Sequence, residues 1–178
     1  YLAYLDPPKE STKEALQSLK DDNVNVKIFT GDNEAVTRAI ALQVGLNVDT
    51  VYDGEQIEAA TSEEMAKIVE KCDIFVHLTP ELRTKIIKAL QKNGHIVGYM
   101  GDGNKDTLAM KVADVTVTSN NAVDITKESA DIILEQKDLQ LLEEMIITGR
   151  KVFSNTMKYI KTFLVTNFGS VITMVVAS

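Results

Sequence analysis

The feature that most constrains the fold of this chain is a regular alternation of short apolar runs with stretches of helical spacing. Each run of β-branched and other apolar residues is followed by a segment whose apolar positions repeat every three or four residues. This alternation is typical of an α/β fold with a mostly parallel sheet. The predicted strands are residues 1–5, 26–29, 74–78, 96–100, 115–117 and 132–134.

Predicted helices fill the intervals between these strands. Their apolar faces are formed by Ala15, Leu16 and Leu19, by Val36, Ala39 and Ile40, and by Leu82, Ile86, Ala89 and Leu90. Asn93 and Gly94 end the third helix in the manner of a C-cap. Residues 48–64 are less regular, and we predict a small excursion there before a helix around Met65 to Val69.

The charge and the cysteine content exclude several kinds of site. A formal net charge of −7 and a pI near 4.9 would repel a phosphate backbone, so nucleic acid is not an expected partner. The single Cys72 forms no internal disulfide, and His77 and His95 are too few to complete a structural zinc site. These features are typical of a domain in a reducing cytosol.

The carboxyl end of the chain differs from the rest. After Asp138 the pattern is that of one continuous helix, and residues 162–178 carry no charge. A helix of that length reaches roughly 25 Å, close to the roughly 30 Å core of a bilayer. The basic residues Arg150, Lys151, Lys158 and Lys161 precede it, which places the α/β part in the cytosol by the positive-inside rule. We therefore predict that residues 162–178 belong to a membrane span. The alternative is that they form a buried carboxy-terminal helix of a soluble domain.

Three loops follow predicted strands, and they therefore lie at the carboxyl edge of the sheet, where doubly wound folds bind ligands. The first loop contains Thr30, Gly31, Asp32 and Asn33. Its glycine, its hydroxyl and the free N–H groups of the following helix suit an anion. The alternative is a turn in which Asp32 or Asn33 is an N-cap.

The second loop, residues 101–106, contains two carboxylates four positions apart. Asp102, with a glycine on each side, and Asp106 can hold Mg²⁺ between protein and phosphate, since Mg²⁺ prefers hard oxygens. Capping and turn formation are the alternative for both carboxylates. The third loop, at Thr79, leads into a helix with Arg83 and Lys85, which either face the same phosphate or belong to a solvated helix face.

The order of these motifs resembles the phosphorylation domain of P-type ATPases, a branch of the haloacid dehalogenase superfamily. The resemblance is carried by the segments 6–9 (Asp-Pro-Pro-Lys), 30–32 (Thr-Gly-Asp) and 101–106 (Gly-Asp-Gly-Asn-Lys-Asp), and it extends over nearly the whole chain. Residues 127–133, followed by the long helix into residues 167–169, most resemble the bacterial magnesium-transporting branch.

The resemblance implies a Rossmann-like haloacid dehalogenase fold. Residues 1–149 would be the core of a phosphorylation domain without its DKTGT strand, and residues 150–178 a stalk helix and the start of a transmembrane helix. The parent enzyme would be an ATP-driven cation pump that forms an aspartyl-phosphate with ATP and Mg²⁺. Its partners would be the remaining pump domains, the lipid bilayer and a transported cation, Mg²⁺, in the bacterial cytoplasmic membrane.

The resemblance also assigns roles to single residues. Asp102 matches the aspartate that coordinates the catalytic Mg²⁺, and Asp106 matches the second essential carboxylate of that loop. Arg83 stands where the family has a lysine that contacts the phosphoryl group. Lys9 stands where many members have an arginine near the ribose, and Asn167 lies in the helix that provides part of the ion path, where a polar group in an apolar span is itself a functional candidate.

The segment Thr30, Gly31 and Asp32 matches the family's lining of the phosphate and nucleotide site, with Thr30 and Arg83 assigned to the catalytic group. Arg83 replaces the lysine, and Lys105 replaces an asparagine. The dipeptide 107–108 (Thr-Leu) replaces Ala-Pro, and His77 stands where a lysine or arginine is common.

The chain contains no DKTGT motif, so we expect it to be inactive by itself. Because the substitutions gather around the phosphate site, a second hypothesis is a divergent, catalytically inactive module with a regulatory or binding function. A third, a soluble phosphatase of the same superfamily, is the weakest. Such an enzyme needs its own aspartate nucleophile, and the apolar tail would have no purpose in it.

Overall fold

The computed structural model describes residues 11–136 and 138–177. Contacts divide the chain into two compact units, Tyr1–Leu139 and Gln140–Ser178. The first unit contains the α/β fold, and the second is a single long helix over its described residues. The predicted boundary between core and stalk, at residues 149 and 150, lies within that helix, and the roles assigned to the two parts stay predictions.

Helices and strands alternate along the first unit. In chain order the elements are α1 (Ser11–Asp21), β1 (Ile28–Phe29), α2 (Glu34–Gln43), β2 (Val51–Asp53), α3 (Gly54–Ala59), α4 (Ser62–Lys71), β3 (Ile74–Val76), α5 (Pro80–Lys92), β4 (Gly98–Met100), α6 (Thr107–Met110), β5 (Val115–Ser119), α7 (Asp124–Glu128), β6 (Ile132–Leu134) and α8 (Leu139–Ala177). One turn of 3₁₀ helix, Asn104–Asp106, precedes α6.

The strands form two parallel sheets of three strands each, in the orders β1-β3-β2 and β4-β5-β6. In the first sheet Phe29 and Tyr52 are both in register with Phe75, and in the second Met100 is in register with Val117. Because all these pairings are parallel, the carboxyl ends of the strands in each sheet share one edge. The predicted parallel α/β fold is confirmed, and the structure divides its strands between two sheets.

Strand β2 was not predicted. It lies within the irregular segment 48–64 and is too short to show an alternating pattern, so its pairing with β3 is what makes it a strand. The two following helices have strong local signals, because Asp53 with Gln56 and Thr61 with Glu64 each form a capping box. The predicted strand at residues 1–5 lies outside the described residues.

The predicted buried face of α2 is wrong. Val36 is 55% exposed and Ile40 is 40% exposed, whereas Thr37 and Ala41 are buried. The hydroxyl of Thr37 donates to the carbonyl of Asn33 at 3.0 Å, so this polar group is satisfied within the helix and its side chain can be buried. Apolar spacing alone selected a neighbouring face, which is displaced by one residue, or about 100°, around the helix.

Helix α5 packs against side chains of both sheets. Ile86 belongs to a buried cluster with Phe75 of β3, whereas Ile87 belongs to another with Tyr99 of β4. The ring of Phe29 lies 5.5 Å from that of Phe75 and 6.1 Å from that of Tyr99, centre to centre. Arg83, one turn before Ile87, is therefore carried toward the end of β4.

The predicted continuous helix after Asp138 is confirmed as α8, which has 39 residues and none that is buried. It is long and apolar enough to cross a membrane, as judged by length and composition. Thr162, Thr166 and Ser170 each donate a hydroxyl hydrogen bond to the carbonyl four residues earlier, at 2.9 to 3.1 Å. These polar side chains are thus satisfied within the helix, as an apolar solvent requires.

Candidate phosphate and magnesium site

The loop between β4 and α6, residues 101–106, is held to strand β5 at its start. The amide of Gly101 donates to the carbonyl of Val117 at 3.1 Å, and the hydroxyl of Thr118 donates to the carbonyl of Gly101 at 2.7 Å. Both polar groups of Gly101 are therefore bonded to the neighbouring strand. The loop leaves the sheet from a defined position at its carboxyl edge.

The carboxylate of Asp106 closes this loop from within. Its Oδ2 accepts hydrogen bonds from the amides of Asp102 and Gly103, both at 3.1 Å. Its Oδ1 accepts a hydrogen bond from the hydroxyl of Tyr99 at 2.8 Å and pairs with Nη1 of Arg83. Asp106 is only 8% exposed, so four protein donors surround a buried charge. Such an arrangement compensates for much of the cost of burying a carboxylate.

Arg83 supplies the positive charge of this network and is itself 7% exposed. Its Nη1 also donates to the hydroxyl oxygen of Tyr99 at 3.2 Å. Burial and the hydrogen bond to Asp106 raise the pKa of Tyr99 well above its ordinary range, so its hydroxyl keeps its proton. The Nε of Arg83 is buried and has no hydrogen-bond partner within the described part of the chain.

Gly101 is required by the close approach of Asp106. A Cβ atom at position 101 would lie 2.5 Å from the Cβ and 2.8 Å from the Cγ of Asp106. Real Cβ atoms do not come so close to a side-chain stem, so any larger residue would displace the carboxylate. The glycine therefore makes room for the network.

Asp102 is the exposed carboxylate of the loop and is separated from the end of β4 only by Gly101. A carboxylate there fits Mg²⁺, which is bound through one or two carboxylates and keeps several waters. Asp106 already accepts four hydrogen bonds, and this favours a supporting position for it rather than direct ligation. No group of three or more acidic, histidine or cysteine side chains suited to a metal occurs among residues 11–136 and 138–177. Direct ligation by Asp106 stays a prediction.

The loop after β1 is held to the β3 region at its start and by its own side chains beyond that point. The amide of Thr30 donates to the carbonyl of Phe75, and the carbonyl of Thr30 accepts from the amide of Leu78, both at 3.0 Å. The hydroxyl of Thr30 donates to Oδ2 of Asp32 at 2.9 Å and accepts from the amide of Asp32 at 3.0 Å. Asn33, rather than Asp32, is the N-cap of α2, because its Oδ1 accepts from the amide of Ala35 at 2.8 Å. Gly31 and Asp32 are exposed at the carboxyl end of the strand.

The two cations of α5 have different positions. Arg83 is in the buried network, whereas Lys85 donates to the carbonyls of Ile57, Glu58 and Ala60 at 2.7, 3.1 and 3.3 Å. Lys85 is half-buried, and its bonds to these three carbonyls were not among the expectations from the sequence. It satisfies carbonyls at the end of α3, where a cation is favoured.

A second pair of titratable groups joins the ends of β2 and β3. Nδ1 of His77 is hydrogen-bonded to Oδ2 of Asp53, and His77 has a positive φ of 49°. This bond, followed by the bond from the amide of Glu55, lowers the pKa of Asp53. A Cβ at Gly54 would lie 2.5 Å from the His77 carbonyl oxygen, so a glycine is needed for this close approach.

The structure thus brings some of the predicted site residues together. Asp102, Asp106 and Arg83 form one connected group, and Phe29, which precedes Thr30, places its ring beside Tyr99. Lys9 lies outside the described residues. Asn167 is exposed on α8, in the second unit.

Tyr99 is the member of the group that the sequence analysis missed. A tyrosine in the apolar run 96–100, two residues before Gly101, was a usable signal. A buried tyrosine nearly always needs a partner for its hydroxyl, and polar groups are concentrated in the loop that follows.

Comparison with known proteins agrees with this geometry. The family model for haloacid dehalogenase-like hydrolases matches residues 1–114. The chain is 49% identical over 99% of its length to the magnesium-transporting ATPase, P-type 1, of Salmonella typhimurium and 44% identical over its full length to that of Escherichia coli K12. It is 36% identical over 93% of its length to the human calcium-transporting ATPase type 2C member 1.

The chain covers 18 to 20% of the length of these relatives. Among solved structures, the catalytic domain of the CPx-ATPase CopB-B, described for its conformational changes upon nucleotide binding, matches with a TM-score of 0.59 and 28% identity. The match covers 78% of this chain and 45% of that one. The chain therefore belongs to the haloacid dehalogenase-like hydrolase family, and its similarity to the magnesium-transporting P-type ATPases confirms the resemblance predicted from its motifs.

Proposed function

We propose that this chain is part of an ATP-driven P-type cation pump that transports Mg²⁺ and that it forms the phosphate and Mg²⁺ side of the phosphorylation site. The observation that carries the proposal is the loop 101–106. It presents the exposed Asp102 at the carboxyl end of a parallel strand and supports it through the buried carboxylate of Asp106. Ligands of α/β sheets bind at this edge.

The residues of the chain have separate parts in this function. Asp102 would hold Mg²⁺, which when bound neutralises negative charge on the transferred phosphoryl group. Asp106 and Arg83 keep the Asp102 backbone in place, and the unpaired Nε of Arg83 is a donor suited to an anion from outside the described residues. Thr30, Gly31 and Asp32 would line the phosphate and ATP side, with Lys9 near the ribose.

The edge strands of the two sheets support the proposal that this chain binds the remaining domains of the pump. Among the described residues, β1 pairs with β3 alone and β4 pairs with β5 alone. Within residues 11–136, each of these strands therefore has one edge without a partner strand, to which a further strand can add. The strand that carries the phosphorylated aspartate is a natural occupant, because the sequence has no DKTGT motif.

The features of helix α8 support the proposal that this part of the chain enters a membrane. Its segment 162–177 has no charge, and basic residues precede it, so we place the start of the membrane span after Lys161 and the α/β unit in the bacterial cytosol. Asn167 would be part of the ion path, since a polar side chain in an apolar span is costly and one that is present is usually functional.

A catalytically inactive regulatory or binding module is the second candidate, and the state of Arg83 favours it. The family's phosphoryl-contacting lysine is replaced by an arginine whose guanidinium is paired with Asp106 and Tyr99. A planar guanidinium does not reproduce a compact ammonium group. Lys105, by contrast, is exposed on the 3₁₀ turn.

The test is phosphorylation of the full-length gene product in membrane vesicles with radiolabelled ATP and Mg²⁺. An acid-stable, hydroxylamine-sensitive phosphoprotein is expected, and Asp102→Asn should reduce its labelling on the order of 100-fold. The control is Asp49→Asn, which removes an exposed carboxylate near the amino end of β2 and should leave labelling within about twofold. Equal labelling of wild type and Asp102→Asn contradicts the assigned site, and no labelling of wild type favours the inactive module.

A further inference from the structure

The hydroxyl of Tyr99 makes two hydrogen bonds, one as donor and one as acceptor, and both are to the pair formed by Asp106 and Arg83. It donates to Oδ1 of Asp106 at 2.8 Å and accepts from Nη1 of Arg83 at 3.2 Å. Its ring is 8% exposed, packs in a cluster with Ile87 and Met110, and lies beside the ring of Phe29. Because the ring is held by packing, the position of its oxygen is defined by strand β4 rather than by the loop.

This placement matters because the two oxygens of Asp106 have different partners. Oδ1 faces Tyr99 and Arg83, whereas Oδ2 holds the amides of Asp102 and Gly103. A carboxylate is rigid and planar, so whatever fixes Oδ1 also fixes Oδ2. A hydroxyl on β4 is therefore connected through one side chain to two loop amides.

We infer that Tyr99 is a positioning residue for the loop 101–106. It orients the Asp106 carboxylate, which in turn holds the backbone of Asp102 and Gly103. The position of the Asp102 Cα, from which its side chain extends, is thereby fixed. The positioning follows from these contacts alone. Its consequence for Mg²⁺ rests on the proposed function, in which Asp102 binds the ion.

A purely structural role for Tyr99 is the competing explanation, since its ring fills a buried cluster. The two roles use different atoms. Packing depends on the ring, whereas positioning depends on the hydroxyl oxygen. Tyr99→Phe removes that oxygen and retains the ring, so this variant separates them.

The first measurement is amide hydrogen exchange in the chain, held in mild detergent because α8 is apolar. In Tyr99→Phe the amides of Asp102 and Gly103 should exchange about tenfold faster, since a hydrogen bond to a charged acceptor is worth about this factor or more. The amide of Val117, in the middle of β5, should change less than about twofold. Tyr52→Phe, on β2, is the matched control and should leave all three amides unchanged.

Two results overturn the inference. One is exchange of the Asp102 and Gly103 amides at the wild-type rate, and the other is equal acceleration of these amides and of Val117, which indicates general loss of stability. An Asp106→Asn background adds a coupling test. Positioning through Asp106 predicts that Tyr99→Phe has little further effect there, whereas a packing role predicts that its effect is retained.

The second measurement is titration with Mg²⁺ alone, followed by the amide signal of Asp102. The inference predicts a several-fold weaker apparent affinity in Tyr99→Phe than in the wild type, with Tyr52→Phe unchanged. If the wild-type signal does not respond to Mg²⁺, the metal assignment in the proposed function fails, while the exchange data still decide the role of Tyr99. Wild-type Mg²⁺ affinity in Tyr99→Phe contradicts the inference.

Discussion

Two loops of this molecule carry the dipeptide Gly-Asp near the end of a parallel strand. Both begin with backbone bonds to a neighbouring part of the sheet, and beyond these bonds they are held in different ways. Around Gly31 and Asp32, the side-chain bonds run within the segment 30–33 and into the first turn of α2. Around Gly101 and Asp102, the bonds come from Asp106 and, through it, from Tyr99 and Arg83, which lie 7 and 23 residues from Asp106 in sequence. Similar motifs therefore do not imply similar support.

This difference in support predicts that the two loops behave differently when a ligand binds. Beyond the backbone of Thr30, which is bonded to Phe75 and Leu78, the 30–33 loop is exposed and its side chains are bonded within it, so it can adapt to a ligand at little cost to the rest of the fold. The 101–106 loop contains a buried charge that is compensated by a distant cation, so its geometry is set before any ligand binds. Such preorganisation is what an electrostatic site requires.

The largest effect is expected for removal of the buried carboxylate. Asp106→Ala leaves the Arg83 guanidinium buried without its partner and should lower the free energy of unfolding by about 3 to 5 kcal/mol. Urea unfolding of the chain in mild detergent, followed by circular dichroism, measures this. Asp32→Ala, in the exposed loop, should change the same quantity by less than about 1 kcal/mol. Equal losses in the two variants would remove the distinction between the loops.

An intermediate effect is expected at the glycines. Gly101→Ala places a Cβ 2.5 Å from that of Asp106 and should cost about 1 to 3 kcal/mol of unfolding free energy by overpacking. At Gly31 the nearest atom is the Leu78 carbonyl oxygen at 4.0 Å, so Gly31→Ala should be within about 1 kcal/mol of wild type. Thermal unfolding of the two variants side by side provides the measurement, and a more stable Gly101→Ala would refute the steric argument.

The smallest effect concerns Asp53, whose bond to His77 connects the ends of two strands across 24 residues of sequence but is exposed, unlike the buried pair of Arg83 and Asp106. The pKa of Asp53 is lowered from its ordinary value of 3.8, so its contribution is fully present above that pH and is lost as pH falls through the lower value. Asp53→Asn should therefore show a shallower fall of unfolding free energy as the pH falls below about 4. Parallel pH profiles for wild type and variant would rule out this contribution.

Much of the architecture could be predicted because it depends on short-range periodicity. The strand Ile132–Leu134 was predicted with its observed bounds, the end of α5 at Asn93 and Gly94 was correct, and α8 is continuous as expected. Strand β2 was missed, since three half-buried residues have no periodicity to detect. The side of α2 that is buried was wrong because a threonine satisfied by its own helix can replace an apolar residue.

The candidate site shows more clearly which features cannot be predicted from the sequence. The sequence by itself determined that Thr30, Asp102 and Asp106 follow strands of a parallel α/β fold, because the alternation of strands, loops and helices along the chain is a local property. Only the tertiary structure decided that Arg83 pairs with Asp106, that Lys85 caps α3, and that Tyr99 completes the network. Arg83 and Lys85 are two residues apart and therefore point to different sides of α5. Which side meets which partner depends on how that helix packs between the two sheets, and no local pattern encodes that.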